Sequence, residues 1–289
     1  MKLGVSSYSF NRYLRERKGD YADILRIAKE IGFDGVEFIG LVNESWGQTG
    51  DALSIAKAVK GEADALGLEI PAYTVGANLL ADDPEAEVSR LFADLEVAKA
   101  LGAGVLRHDA SFSLKKLPGY TWESGIVDMI PYIRRVADQA ASLGIRTCSE
   151  NHGKIYQDAV RVEELIRRVG HPNYGWLVDI GNFICTDNEP LASVKLAAPY
   201  AVHAHAKDFI LKDASVPAPA GFNRSRGGRL WRGTTLGHGD IPVAECIAAL
   251  VGAGYSGWLS LEFEGHEENL PALAHGFAYL CACLEAACK

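Results

Sequence analysis

The chain has 289 residues, 48% hydrophobic and 23% charged, with a formal net charge of -8. That length can bury a substantial core as one large α/β domain or two smaller ones, and the acidic balance excludes an overall basic field that would attract nucleic acid. MKLGVSSYSF carries no signal-peptide pattern, and no apolar run approaches the roughly 18 residues of a membrane span, so a cytoplasmic enzyme without a membrane or nucleic-acid partner is expected.

In chain order, LGVSSYS (3–9) reads as a first strand, and Asp20 caps a helix over YADILRIAKEIG. GFDGVEF supplies a second strand ending at Glu37 and Phe38, and a helix from about Asp51 to Leu66 stops at Gly67, the residue type best able to take a positive φ at a helix end. LEIPAYTV (68–75) is the third strand, Pro84 opens the third helix, and GVLRHDA (104–110) is the fourth strand. A helical region then spans about Trp122 to Leu143. Pro131 implies either a start near Asp128 or a kink.

IRTCSEN, the helix DAVRVEELIRRVG, YGWLVDI, a short helix after Pro190 and AVHAHAKD continue the alternation. Residues 209–237 read as one long loop rich in Gly, Pro and Arg, before the helix IPVAECIAALVGAG, the strand GWLSLEF and a closing helix from NLPALAHG onward. Eight β/α units with short connections fit a single (β/α)8 TIM barrel over residues 1–289. The rival open doubly wound sheet would place a Gly-rich phosphate loop after its first strand, and SSYSFNRY is not one. None of the six cysteines forms a C-x-x-C pair, so reduced thiols are expected.

Four consecutive strands end on residues able to bind a metal: Glu150, Asp179, His205 and Glu262. A parallel barrel gathers the C-terminal ends of its strands, so residues far apart in sequence meet there. Three carboxylates and an imidazole favour Mn²⁺, Mg²⁺ or Co²⁺ over a thiolate-type zinc site. Strand alternation puts His203, His205 and Lys207 on one face, with His203 expected as a further substrate contact, and likewise Glu262 with Glu264 and Glu150 with His152. His152 reads equally as an orienting partner of a ligand or as a general acid/base. Of Arg107 and His108, one should face the barrel mouth; Glu37 either binds a substrate hydroxyl or caps its loop. Arg224, Arg226 and Arg229 in the long loop suit a solvated loop, a lid or a subunit contact. Trp46, Trp122 and Trp231 suit a pocket lining or an interface.

The set GFDGVEF, SENH, LVDIGN, HAHAKD, TTLGHGDI and LSLEFEG resembles the xylose isomerase-like TIM barrels, the sugar phosphate isomerase/epimerase superfamily that also holds the endonuclease IV fold. The resemblance covers essentially the whole chain. It implies one divalent metal, usually Mn²⁺, on Glu150, Asp179, His205 and Glu262, with the two glutamates also acting as the acid/base pair on either side of a sugar. It further implies substrate contacts from Lys207 and Asn182, where relatives commonly carry Arg and His, and places His238 of GHGD beside the site. The expected activity is isomerisation or epimerisation of a sugar or cyclitol through an enediolate. The alternatives are a lyase (an inosose-type dehydratase or β-elimination on a 3-keto-glycoside), an endonuclease IV-like nuclease and a partner-dependent non-catalytic subunit. Homo-oligomerisation is left open.

Overall fold

The structure is a computed structural model describing residues 1–16 and 18–287; Cys288 lies outside them. Its strands are β1 (Lys2–Ser6), β2 (Gly35–Ile39), β3 (Ala72–Val75), β4 (Val105–His108), β5 (Arg146–Glu150), β6 (Tyr174–Asp179), β7 (Ala201–Ala206), β8 (Asp208–Lys212), β9 (Asn223–Arg224), β10 (Leu230–Thr234) and β11 (Trp258–Leu261). The helices are α1 (Asn11–Arg15), α2 (Tyr21–Ile31), α3 (Ala52–Leu66), α4 (Pro84–Leu101), α5 (Trp122–Ser142), α6 (Ala159–Val169), α7 (Pro190–Ala197), α8 (Val243–Gly252) and α9 (Asn269–Ala287).

Local side chains set the helix ends. Asp20 Oδ1 accepts from the N–H groups of Ala22 and Asp23 while Asp23 Oδ2 accepts from Asp20 N–H, a reciprocal capping box. Asp83 caps α4, whose first residue is Pro84. Gly67 closes α3 at φ +65°, a conformation costly for any residue with a Cβ. Two boundaries differ from those expected of the sequence. β1 ends at Ser6 because the next four residues turn as a 3₁₀ helix into α1, and α5 starts at Trp122, capped by Thr121, and runs through Pro131.

Eight parallel strands close in the order β1-β11-β7-β6-β5-β4-β3-β2. Residues facing out from the strands, such as Val36, Phe38, Val178, Ala204 and Ala206, join the surrounding helices in the main hydrophobic core. Burial of one such aliphatic or aromatic side chain contributes roughly 1.5–3 kcal/mol. The β6–β7 register shifts between Trp176 and Leu177, which places His203 opposite Leu177 and His205 opposite Asp179. Such a shift re-aims side chains next to a site. Both histidines accordingly point into the barrel.

The segment expected as a structureless loop is instead an antiparallel sheet in the order β8-β10-β9. Asp208 anchors its base: its carboxylate accepts from the N–H groups of Phe209, Gly237, Gly239 and Ile241. Irregular alternation hides these strands in the sequence, and buried backbone N–H groups finding a carboxylate explain why the turn holds. The closing helix α9 is long and apolar enough, by length and composition, to cross a membrane, contrary to the expectation from sequence. Here it packs against α2, α8 and β11 as the last helix of the barrel. The five described cysteines are free thiols.

Candidate metal centre and active site

Glu37 sits at the centre of β2 with its carboxylate turned into the barrel and fully buried. An ionised carboxylate only accepts, so both His203 and His205 present Nε2–H to it, at 2.6 and 2.7 Å. Burial pushes the Glu37 pKa up, but the two imidazoles outweigh that and hold it well below the usual carboxylate range. With Nε2–H committed to Glu37, His205 Nδ1 is the ring atom turned to the cavity, and it has no hydrogen-bond partner. That nitrogen faces Asp179 Oδ2 and Glu262 Oε2, each at 3.7 Å, and Glu150 Oε1 at 3.9 Å.

Glu150, Asp179, His205 and Glu262 each offer one ligand atom, and these atoms lie within 4.8 Å of one another. Asp179 is split in function. Oδ1 accepts from Gly181 and Asn182 N–H at 2.9 Å each, while Oδ2 has no aligned hydrogen bond, only the ion pair with Lys207 Nζ at 2.9 Å. An imidazole nitrogen without a hydrogen-bond partner, a carboxylate oxygen held only by an ion pair and two further carboxylates form a donor set that fits a divalent cation. Glu37 thus orients His203 and His205 from beneath the cavity rather than meeting a substrate or capping its loop, the two roles expected of it.

Two cations balance the carboxylates. Arg107 Nε donates to Glu150 Oε2 at 2.8 Å, and the same guanidinium lies 3.3 Å from Asp109 Oδ1. Lys207 Nζ contacts Glu262 as well as Asp179, and Glu264 at 3.3 Å. Burial alone would lower the Lys207 pKa, but Asp179, Glu262 and Glu264 raise it well above the ordinary value. Asn182 joins the two halves: its amide nitrogen donates to Glu150 Oε1 at 2.8 Å and its oxygen accepts from Lys207 at 3.3 Å. Gly181 permits this packing, since a Cβ there would lie 2.5 Å from Lys207 Cγ.

His152 Nδ1 meets Asp109 Oδ1 at 3.0 Å. Desolvation pulls its imidazolium down, but the hydrogen bond and charge of Asp109 prevail and raise its pKa. Sequence reasoning misses Asp109 because it lies one residue past the end of β4; only the fold shows it linking Arg107 to His152.

Of the residues expected at the site, Glu150, His205, Glu262, His152, Lys207, Asn182 and Arg107 line a cavity of about 1150 Å³ at the barrel mouth, and Asp179 lies fully buried at its floor. Three expected substrate contacts do not reach it. His108 faces outward, because strand alternation gives the interior to Arg107; it is buried against Tyr174, with ring centroids 5.9 Å apart. His203 lies beneath His205 on Glu37. His238 is exposed beside His275, outside the cavity. From the small sheet, Arg224, Arg226 and Trp231 line the mouth, and Arg226 donates to Asp158 at 2.8 Å and also to the Lys154 carbonyl. Arg229 instead pairs with Glu189 at 3.7 Å. Trp46 donates to Asn11 and Trp122 lies under Arg161; neither lines the cavity.

The closed barrel of eight parallel strands defines a TIM-barrel protein. The chain belongs to the xylose isomerase-like TIM barrel family, whose profile matches residues 25–283. Over 241 residues, 77% of this chain and 70% of its relative, it is 27% identical to the rhizopine catabolism protein MocC of Rhizobium meliloti. It is 25% identical over 169 residues to an inosose dehydratase of Bacillus anthracis; the chain spans about half (54%) of that relative's length. A solved L-ribulose 3-epimerase superposes with a TM-score of 0.72 over 99% of this chain and 95% of its own, and at 16% identity it speaks for the fold alone.

Proposed function

We propose that this protein is a divalent-metal-dependent enzyme that isomerises or epimerises a keto sugar or cyclitol by moving a proton on a carbon next to a carbonyl. The observation that carries the reading is the buried His205, oriented by Glu37 so that its free Nδ1 meets Glu150, Asp179 and Glu262. These four residues would hold the ion, Mn²⁺ first, with Mg²⁺ or Co²⁺ also suited to the set. When bound, such an ion makes the C–H beside a chelated carbonyl more acidic by stabilising negative charge on oxygen.

The chain's own residues do the rest. Glu150 and Glu262 reach the cavity from β5 and the end of β11, with β6 and β7 between them. One removes the proton and the other returns one from the far side, which inverts the carbon; return to the neighbouring carbon exchanges aldose and ketose. Arg107 fixes the Glu150 carboxylate, and Lys207 fixes Glu262 and offers N–H to substrate oxygens.

Dehydration is the second reading. It is favoured by the inosose dehydratase among the relatives and by His152, held on Asp109 beside Glu150 with a raised pKa suited to protonating a departing hydroxyl. The test is solvent-exchange NMR in D₂O on Mn²⁺-loaded protein with ketoses, inososes and 3-keto-glycosides. Deuterium next to the carbonyl, dependent on metal and on Glu150, supports the reading, and the product separates epimer, isomer and dehydrated compound. Absence of metal binding overturns it.

A further inference from the structure

The cavity of about 1150 Å³ exceeds the roughly 300–1,000 Å³ that hold drug-sized ligands, and a single sugar ring is far smaller than those. The four ligand-competent residues of the proposed chemistry gather at the ends of β5, β6, β7 and β11, with Arg107 reaching across from β4 to Glu150. The β2–β3–β4 side presents Ile39, Leu41, Val42, Ala52, Val75 and Phe112 beside the Arg90–Asp94 ion pair. Two of these are nearly half exposed to solvent, Val42 at 48% and Phe112 at 45%. Such exposure of large apolar groups along the wall of a cavity marks a binding surface.

Phe112 is held in place rather than loose. Its ring lies against Gly76 and Gly153, where added Cβ atoms would come within 3.6 and 2.9 Å of it. Its edge meets His152, with ring centroids 6.1 Å apart. The platform is therefore fixed next to the charged side while much of its surface stays free. An aromatic or aliphatic group stacked there would remain attached to a sugar on the carboxylate cluster.

We propose that the β2–β3–β4 wall is a second subsite for an apolar substituent, so that the substrate is a conjugate, a keto sugar or cyclitol bearing an aromatic or bulky aliphatic group. This rests on the preceding reading for the position of the sugar, but its test does not depend on turnover. Calorimetric titration of Mn²⁺-loaded protein with methyl, phenyl and naphthyl β-glucosides should show the aryl glucosides binding about tenfold or more tightly than the methyl one. Phe112→Ala and Val42→Ser, both at exposed positions, should each erode that preference while leaving methyl glucoside affinity and thermal stability unchanged. Equal affinity for methyl and aryl glucosides overturns the proposal, as does an aryl preference untouched by both variants. If aryl preference is present and lost in the variants while no ketose or glycoside exchanges deuterium, the subsite stands and the reaction does not. If free ketoses exchange deuterium and no aryl preference is found, the reaction stands and the subsite does not.

Discussion

At the ends of β5, β6, β7 and β11, the polar groups answer to one another and to Arg107 reaching in from β4: Arg107 to Glu150, Lys207 to Asp179 and Glu262, Asn182 to both halves. On the β2–β3–β4 side, Ile39, Leu41, Val42 and Phe112 offer surface rather than directed bonds. The difference is one of tolerance. Buried charges work only as a complete set, because removing one leaves its partner desolvated and unpaired. Apolar walls contribute in proportion to area and fail by degrees.

Breaking the charged side should produce the largest effect. Glu150→Gln is expected to lower the rate of solvent exchange by about 10³-fold, within the range of losing a general base, as read by deuterium incorporation under saturating metal. One layer down, Glu37→Gln keeps the volume but loses one of two acceptors, so His205 is no longer held in one tautomer. Metal affinity should fall about 10- to 100-fold, measured by competition with a chelator, with the barrel still folded.

The opposite side offers a test by pH. Asp94 lines that part of the cavity, and burial outweighs its ion pair with Arg90 to push its pKa up to about 6. A carboxyl whose folded pKa lies above its unfolded one, about 3.9, binds its proton more tightly in the fold. Stability relative to Asp94→Asn should therefore rise as pH falls from 7 through 6 toward 4. The span should be on the order of 2 kcal/mol, read by denaturant melts at each pH. The smallest effect belongs to the small sheet over both sides. Arg226→Ala removes its hold on Asp158 and Lys154 and should raise KM about fivefold with little change in kcat, the scale of one exposed hydrogen bond.

Much of this is legible in the chain itself. Strand–helix alternation with glycines at helix ends specifies the barrel, and the ligand-competent residues are readable because each closes an apolar strand. His108 is ambiguous for a physical reason: at a strand end a one-residue change of register swaps inside for outside. Glu37 cannot be read correctly from its own segment, because its partners His203 and His205 come from a distant part of the chain. The β8-β10-β9 sheet is hidden because its short strands, DFILK, NR and LWRGT, lack the alternation that reveals a half-buried strand, and the segment joining them is rich in Gly, Pro and Arg.

The Glu37–His205 contact joins residues 168 positions apart. A nascent or truncated chain that ends before β7 has Glu37, Glu150 and the first strands but no imidazole for Glu37 to orient, and one that lacks β2 has a histidine free to rotate. If the four residues hold a metal as proposed, ring closure and competence for it coincide. Non-local closures of this kind form late in folding, so a partly folded barrel would carry the clustered carboxylates without the oriented histidine that stands among them in the finished circle of strands.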